Sequence, residues 1–192
     1  MDSRARILDA VSELIFVKGN FRATSKEIAE HAGVERPLIY YYFKNVENLI
    51  KEALLKTRVD RDTKILEILN IEIDFKSKIE KLIDIHFEET SRFPFRQIFI
   101  VTNRKYLSKD SSHTPADKII IEKLKTSLRN EIANNAFKNI SEEHFIINLN
   151  ALLNYPLLVK NIAPELLGLS EEKYLDLISN RKQIILDALG FN

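Results

Sequence analysis

The chain is 192 residues long, 45% apolar and 30% charged, and its 29 lysines and arginines nearly cancel its 28 acidic residues. That length holds one large or two small domains, and the even balance excludes binding of nucleic acid or membrane by bulk charge alone. There is no cysteine, hence no disulfide framework and no thiolate metal site or nucleophile, and no apolar run of the roughly 18 residues that a membrane span needs. The N-terminal MDSRARIL lacks the apolar stretch of a signal peptide, so a cytoplasmic protein with no membrane association is expected. With only four glycines and five prolines, long helices and few loops follow.

A first helix is predicted from about Ser3 to Lys18, with Ile7, Val11, Leu14 and Ile15 on one face and Gly19-Asn20 ending it. Thr24 and Glu27 match the Thr-x-x-Glu capping box, which starts a second helix at Ser25. Gly33 closes it, free to take a positive φ, and Pro37 opens a third helix where its missing N–H costs nothing. Asn45 caps a fourth helix with a stripe of Val46, Leu49, Ile50, Ala53 and Leu54, and Lys56 to Asp62 reads as an exposed, charge-dense helical stretch. Helical periods then recur over Phe75–Thr90, Phe95–Leu107, Ala116–Phe137, Ser141–Ile162 and Glu171–Leu189, with a polar loop over Lys109–Pro115. Pro156 is expected to kink or break its helix, and Glu171–Leu189 is expected as one helix, capped by Ser170 and closed by Gly190. The β-rich run Gln97–Thr102 is assigned to helix because its neighbours are helical. The expected fold is all-α, with a DNA-binding domain over 1–46 and a helical domain over 47–192.

Two short helices joined by a glycine turn form the unit that places a helix in the DNA major groove. Through Val46 there are seven lysines and arginines against six acids, so the case for DNA rests on placement and not on charge. On a wheel of the third helix, Ile39 and Phe43 face the core, whereas Pro37, Leu38 and Tyr41 point away from it. Arg36, at the N-terminal end, is suited to a bidentate contact with guanine O6 and N7, and Pro37 and Leu38 to a thymine methyl. Thr24, Ser25, Tyr40, Tyr41, Tyr42 and Lys44 offer hydroxyls, a cation and a helix start, the groups that hold phosphates.

The residues Ile28-Ala29, Ala32-Gly33-Val34, Ile39-Tyr40, Phe43-Lys44, Glu47 and Leu49 resemble the TetR family of bacterial one-component regulators, as do Ile7, Leu8, Ala10, Leu14 and Phe16 in the helix before them. Glu35 and Pro37 replace the more usual Ser and Gly of that family's turn, Tyr42 stands where His is common, and Val46 stands where a phosphate-contacting Lys is usual. The resemblance covers about the first quarter of the chain. It implies that the remaining half binds a small-molecule effector between helices and forms a homodimer through its last two helical segments, Ser141–Ile162 and Glu171–Leu189.

The residues themselves say less about that half. It carries no P-loop, no dinucleotide fingerprint, no His-Glu-x-x-His and no Gly-x-Ser-x-Gly, and its histidines are scattered, so no catalytic residue, cofactor or metal is expected. His86, Phe87, Phe99, Asn103, Tyr106, Asn148 and Tyr155 are polar or aromatic groups on otherwise apolar helical faces, the pattern of an apolar pocket with a few polar anchors. Sparse charge on these faces favours a neutral or weakly charged lipophilic ligand. The expected function is a ligand-responsive DNA-binding regulator, a homodimeric repressor that leaves a double-stranded operator when its effector binds. The alternative is a helix-turn-helix DNA-binding adaptor whose helical half binds a protein partner and no small ligand.

Overall fold

The computed structural model describes residues 2–103, 115–134 and 136–191. Its elements are α1 (Ser3–Val11), running on as a π-helical turn over Ser12–Val17, then α2 (Ser25–Ala32), α3 (Pro37–Phe43), α4 (Val46–Asn70), α5 (Phe75–Arg92), α6 (Arg96–Thr102), α7 (Pro115–Ala133), α8 (Glu142–Leu158), α9 (Ala163–Leu167), α10 (Glu171–Ser179) and α11 (Lys182–Leu189). Among the described residues the fold is all-α, and the β-rich run at Gln97 lies inside α6. The chain divides into two compact units, one from Met1–Thr63 and Glu89–Thr114, the other from Lys64–Glu88 and Pro115–Asn192. The first unit therefore takes in part of α4 and all of α6, beyond the 1–46 segment that carries the helix-turn-helix.

In the first unit, Ile7, Val11, Ile15, Phe16, Ile28, Ile39, Phe43, Leu49 and Phe99 form one buried core. The first helix does not stay α-helical to Lys18 as expected. Lys18 N–H reaches back five residues to the Glu13 carbonyl at 2.9 Å, the wider turn of a π-helix. The wider turn lets the sequence neighbours Ile15 and Phe16 both bury completely. Phe16 O accepts the Phe95 N–H at 2.9 Å, and Phe99 packs edge-on against Phe16 and Phe21, each at 5.5 Å between ring centres. Gly19 is required here: its φ is +72°, and a Cβ would meet the Phe95 ring at 2.9 Å.

The charge-dense stretch of α4 is only in part the exposed segment that its composition suggests: Lys56, Val59 and Asp60 are exposed. Thr57, Arg58 and Asp62 are all buried. Buried Arg96 donates from Nη1 to the Thr57 carbonyl at 2.8 Å and to buried Glu89 Oε2 at 3.0 Å, while Arg61 pairs with Asp62. Burial lowers the Arg96 pKa, nearby Arg61 lowers it further, and the Glu89 hydrogen bond opposes both. Charges inside the fold are thus held by one another, the condition under which buried charge is tolerated.

In the second unit the rings of Phe75, Phe137, Phe145 and Phe191 gather with centres 4.7 to 6.3 Å apart. Ile79, Ile83, Leu128, Leu149, Ile185 and Leu189 continue that core. Ser141 caps α8 by accepting the His144 N–H at 3.2 Å. α8 runs through Pro156 without breaking there and ends at Leu158, so that the rest of the expected segment to Ile162 is a turn leading into the short α9. Tyr174 Oη donates to the Pro156 carbonyl at 2.9 Å.

The segment Glu171–Leu189 is two helices, α10 and α11, not one. The break is local competition for backbone acceptors. Asn180 Nδ2 donates to the Asp176 carbonyl at 3.0 Å and Ser179 Oγ donates to the same carbonyl at 2.8 Å, while Asn180 leaves helical geometry at φ −93°, ψ 16°. The end of the predicted segment Phe95–Leu107 and most of the predicted loop Lys109–Pro115 lie outside the described residues; α6 is described to Thr102, with Asn103 after it. No helix among the described residues is long and apolar enough to cross a membrane.

Candidate nucleic-acid interface

The helix-turn-helix is built by local sequence. The Thr24 hydroxyl accepts the Glu27 N–H at 3.2 Å, and Glu27 Oε2 accepts the Thr24 N–H at 2.7 Å, so both halves of the capping box are made. The Thr24 backbone N–H, followed by its hydroxyl, holds the Glu27 carboxyl below its ordinary pKa. Gly33 takes the left-handed conformation, φ 62° and ψ 43°, which lets Val34 N–H close onto the Ala29 carbonyl at 3.0 Å. Arg6, 27 positions earlier, donates from Nη1 to the Gly33 carbonyl at 3.2 Å and so ties α1 to the turn. No spacing rule marks Arg6 for that role, because the pair is brought together only by the fold.

α3 then begins with Pro37 in its first turn and presents Ile39 and Phe43 to the core. On the solvent side Tyr41 is 78% exposed. Its ring meets that of Tyr42 edge-on at 5.1 Å, and Tyr42 is half-buried against the core. Tyr40 and Arg36 are exposed, and both reach Ser25 at the start of α2. The Tyr40 hydroxyl is held below its ordinary pKa, first by its hydrogen bond to Ser25 and then by that to Arg36.

α3 stops at Lys44, whose φ of 66° and ψ of −42° are unusual for a residue with a side chain. Asn45 N–H closes onto the Phe43 carbonyl at 2.8 Å, so Lys44 sits at the centre of a strained γ-turn. Asn45 Oδ1 next accepts the Asn48 N–H at 2.8 Å and caps α4, as its position predicts.

Of the nine residues singled out for DNA, Thr24, Arg36, Pro37, Tyr40, Tyr41 and Lys44 are exposed along α2 and α3. Ser25 is mostly buried and reaches solvent through its partners. Leu38 does not point away from the core as the wheel suggests. It is half-buried against the first-unit core, because the contact face of this two-turn helix is wider than the pair Ile39 and Phe43.

Six of the seven residues expected at a ligand pocket are described, and their surroundings differ. Phe99 lies fully buried in the first-unit core, with its ring taken up by Phe16 and Phe21. Asn103, at the end of α6, donates to Thr102 Oγ1 at 2.8 Å. His86 and Phe87 are half-buried on α5, with ring centres 6.1 Å apart, and Phe87 packs on the second-unit core. Asn148 is exposed, and Tyr155 lines an open hollow of about 510 Å³ with Pro156, Ile162, Leu166, Tyr174 and Leu177. Tyr106 lies outside the described residues.

Residues 7–53 match the family model of the bacterial regulatory proteins of the tetR family. The HTH-type transcriptional regulator YvkB of Bacillus subtilis is 45% identical over 62 residues, which is 32% of this chain and 32% of that protein, so the match spans about a third of that relative's length. The likeness in fold is longer. The transcriptional regulator FadR of Bacillus subtilis, solved in complex with stearoyl-CoA, superposes over 96% of each chain with a TM-score of 0.72 at 19% identity. The TetR family regulator PfmR of Thermus thermophilus superposes over 97% of this chain and 96% of its own, with a TM-score of 0.67 at 15% identity. Residues 7–53 thus match the helix-turn-helix of the tetR family of bacterial regulatory proteins, and over nearly its full length the chain has the fold of these solved regulators.

Proposed function

We propose that the chain is a cytoplasmic DNA-binding transcriptional repressor that acts as a homodimer and leaves its operator when a small lipophilic effector binds. The observation that carries this reading is the outer side of α3. There Tyr40, Tyr41, Arg36 and Lys44 stand at solvent while Ile39 and Phe43 fix the helix from beneath. Hydroxyls, cations and a rigid aromatic are the groups that meet a DNA backbone and base edges. The capping box and the left-handed Gly33 set the angle between α2 and α3 by hydrogen bonds within the module, which supports a preformed reading head.

Assembly is supported by the second unit. Ile147 (61% exposed), Tyr155 (65%), Leu175 (56%) and Ile184 (57%) present apolar surface on α8, α10 and α11. Exposed apolar residues on this scale mark a surface to be covered. Self-pairing there gives the two-fold symmetry that a two-half-site operator requires. The effector would enter the second unit near His86 and Phe87, the half-buried pair on α5, and shift the population toward a dimer whose recognition helices no longer match successive grooves. The acyl-CoA bound by the FadR neighbour supports a lipophilic effector for this fold. Phe99 takes no part, since its ring is spent in the first-unit core.

Selection of random DNA duplexes by the purified chain, followed by gel-shift titration, tests the DNA reading. Enrichment of a two-fold motif bound as one dimer per site is expected. A chain that is monomeric at micromolar concentration and enriches no motif would contradict it.

A further inference from the structure

A free arginine at the start of α3 would extend toward a base edge, but the Arg36 side chain turns back onto α2. Its Nε donates to Ser25 Oγ at 2.9 Å and its Nη2 to Tyr40 Oη at 3.3 Å. Tyr40 Oη donates in turn to Ser25 Oγ at 3.2 Å, which closes a ring of three side chains. Ser25 is only 8% exposed, so the ring is moored to a fixed point. The Arg36 Cζ also lies 5.8 Å from the centre of the Tyr40 ring.

Resting on the reading that α3 enters the major groove, we propose that Arg36 is a positioning residue that holds a DNA phosphate, and that the bases are met by Pro37 and Tyr41. A guanidinium has five N–H donors in a planar fork, and bidentate recognition of guanine uses two parallel donors along one edge. In Arg36 the Nε/Nη2 edge is engaged by two hydroxyls, and the Nη1/Nη2 end keeps a second pair of donors, so what decides its target is where the tether aims that end. These bonds also set the direction of the charge. In a helix-turn-helix the first helix crosses the phosphate backbone, and the second presents its N-terminal residues to the bases. A guanidinium tied to Ser25 at the start of the first helix lies along the backbone path, with the donors of Nη1 still available to a phosphate oxygen. To turn that end away from the start of α2 and toward a base edge, the side chain would have to break both bonds and strip mostly buried Ser25 of its charged partner.

Tyr41 has the opposite character. It is the most exposed ring of α3, and its contact with half-buried Tyr42 aims it without a hydrogen bond that would draw it aside. Pro37, exposed in the first turn, adds an apolar surface suited to a thymine methyl.

The test uses the full chain and the duplex motif that it selects. Anisotropy titrations at several salt concentrations compare the wild type with Arg36→Ala, Arg36→Lys, Tyr40→Phe and the Arg36→Ala/Tyr40→Phe double variant, on the motif and on each of its single-base changes. Arg36→Ala is expected to weaken all duplexes by a similar factor and to lower the salt slope by about one, with base preferences unchanged. Arg36→Lys is expected to restore the slope. Tyr40→Phe should add less to Arg36→Ala than it costs alone, because the two act through one ring. Loss of preference at one G·C position, with the salt slope intact, would overturn the proposal and make Arg36 a base reader. A wild type that selects no motif would instead overturn the regulator reading itself, and this proposal with it.

Discussion

The outer side of α3 and the outer side of α8, α10 and α11 are both exposed, but they are finished in different ways. On α3 the exposed groups are polar or aromatic and hold one another: Arg36 with Ser25 and Tyr40, Tyr41 against Tyr42. On the second-unit face the exposed groups include Ile147, Leu175 and Ile184, aliphatic side chains with no hydrogen bond to make. The first surface is complete in a single chain and suits a wet, charged partner. The second leaves aliphatic area in water, which is the physical argument for the proposed dimer interface there.

The largest expected effect separates the two faces of α10. Ile178 is buried with Leu157 and Tyr174, whereas Leu175, three residues earlier, is exposed. Ile178→Asp puts an unpaired charge into the unit's interior and should cost about 3 kcal/mol or more, seen as loss of the cooperative melting transition. Leu175→Asp should leave the chain folded and convert dimers to monomers in sedimentation equilibrium. A Leu175→Asp protein that stays dimeric would move the interface elsewhere.

Next comes the reading surface. Tyr41→Ala removes a ring that is 78% exposed, so the melting temperature should not move. Operator affinity should fall by about 1–3 kcal/mol, roughly the value of a good base contact. Unchanged affinity would detach α3 from base recognition.

A smaller effect tests the frame beneath that surface. Thr24→Ala removes the side-chain half of the capping box and should cost about 1 kcal/mol in chemical denaturation. Glu27 titrates below its ordinary value in the folded state, so its share of the box is present at neutral pH and is lost as pH falls through that lowered value. The difference between Thr24→Ala and wild type should therefore shrink on acidification. A gap that is constant with pH would mean that the carboxylate takes no part.

The smallest effect has the opposite sign. Lys44 holds a positive φ that glycine adopts freely, so Lys44→Gly should stabilise the fold by about 1 kcal/mol. The same change should lower the salt slope of DNA binding by about one, through loss of a phosphate contact. Stabilisation with no change in slope would leave Lys44 a purely structural residue.

The helix-turn-helix was legible because its signals are local. Thr24, Glu27, Gly33 and Pro37 each act within a few residues, and the observed α2 and α3 start where they indicate. What could not be read depended on distant partners or on competition within a turn. The charges of Lys56 to Asp62 look solvated until Glu89 and Arg96 are brought beside Thr57. Phe99 has the same helical spacing whether it lines a pocket or fills a core, and only Phe16 and Phe21 decide between them. The π-turn in the first helix has no residue-type signature; its effect is to bury Ile15 and Phe16 together. The break at Asn180 was hidden because Ile178 and Ile185 stand seven apart, a spacing that an unbroken helix would also give. The pocket residues were the least legible part, since a polar group on an apolar stripe marks a boundary as readily as a ligand.

The central claim is that α3 is a DNA-reading helix carried by a two-fold dimer. Selection of duplexes from a random library by the wild-type chain, read against the same selection with Tyr41→Ala, tests it most directly. A motif with two inverted half-sites centred about 10 base pairs or a multiple apart, weakened or blurred in the variant, is the predicted result. No enrichment by the wild type, or an identical motif and affinity with Tyr41→Ala, would contradict it.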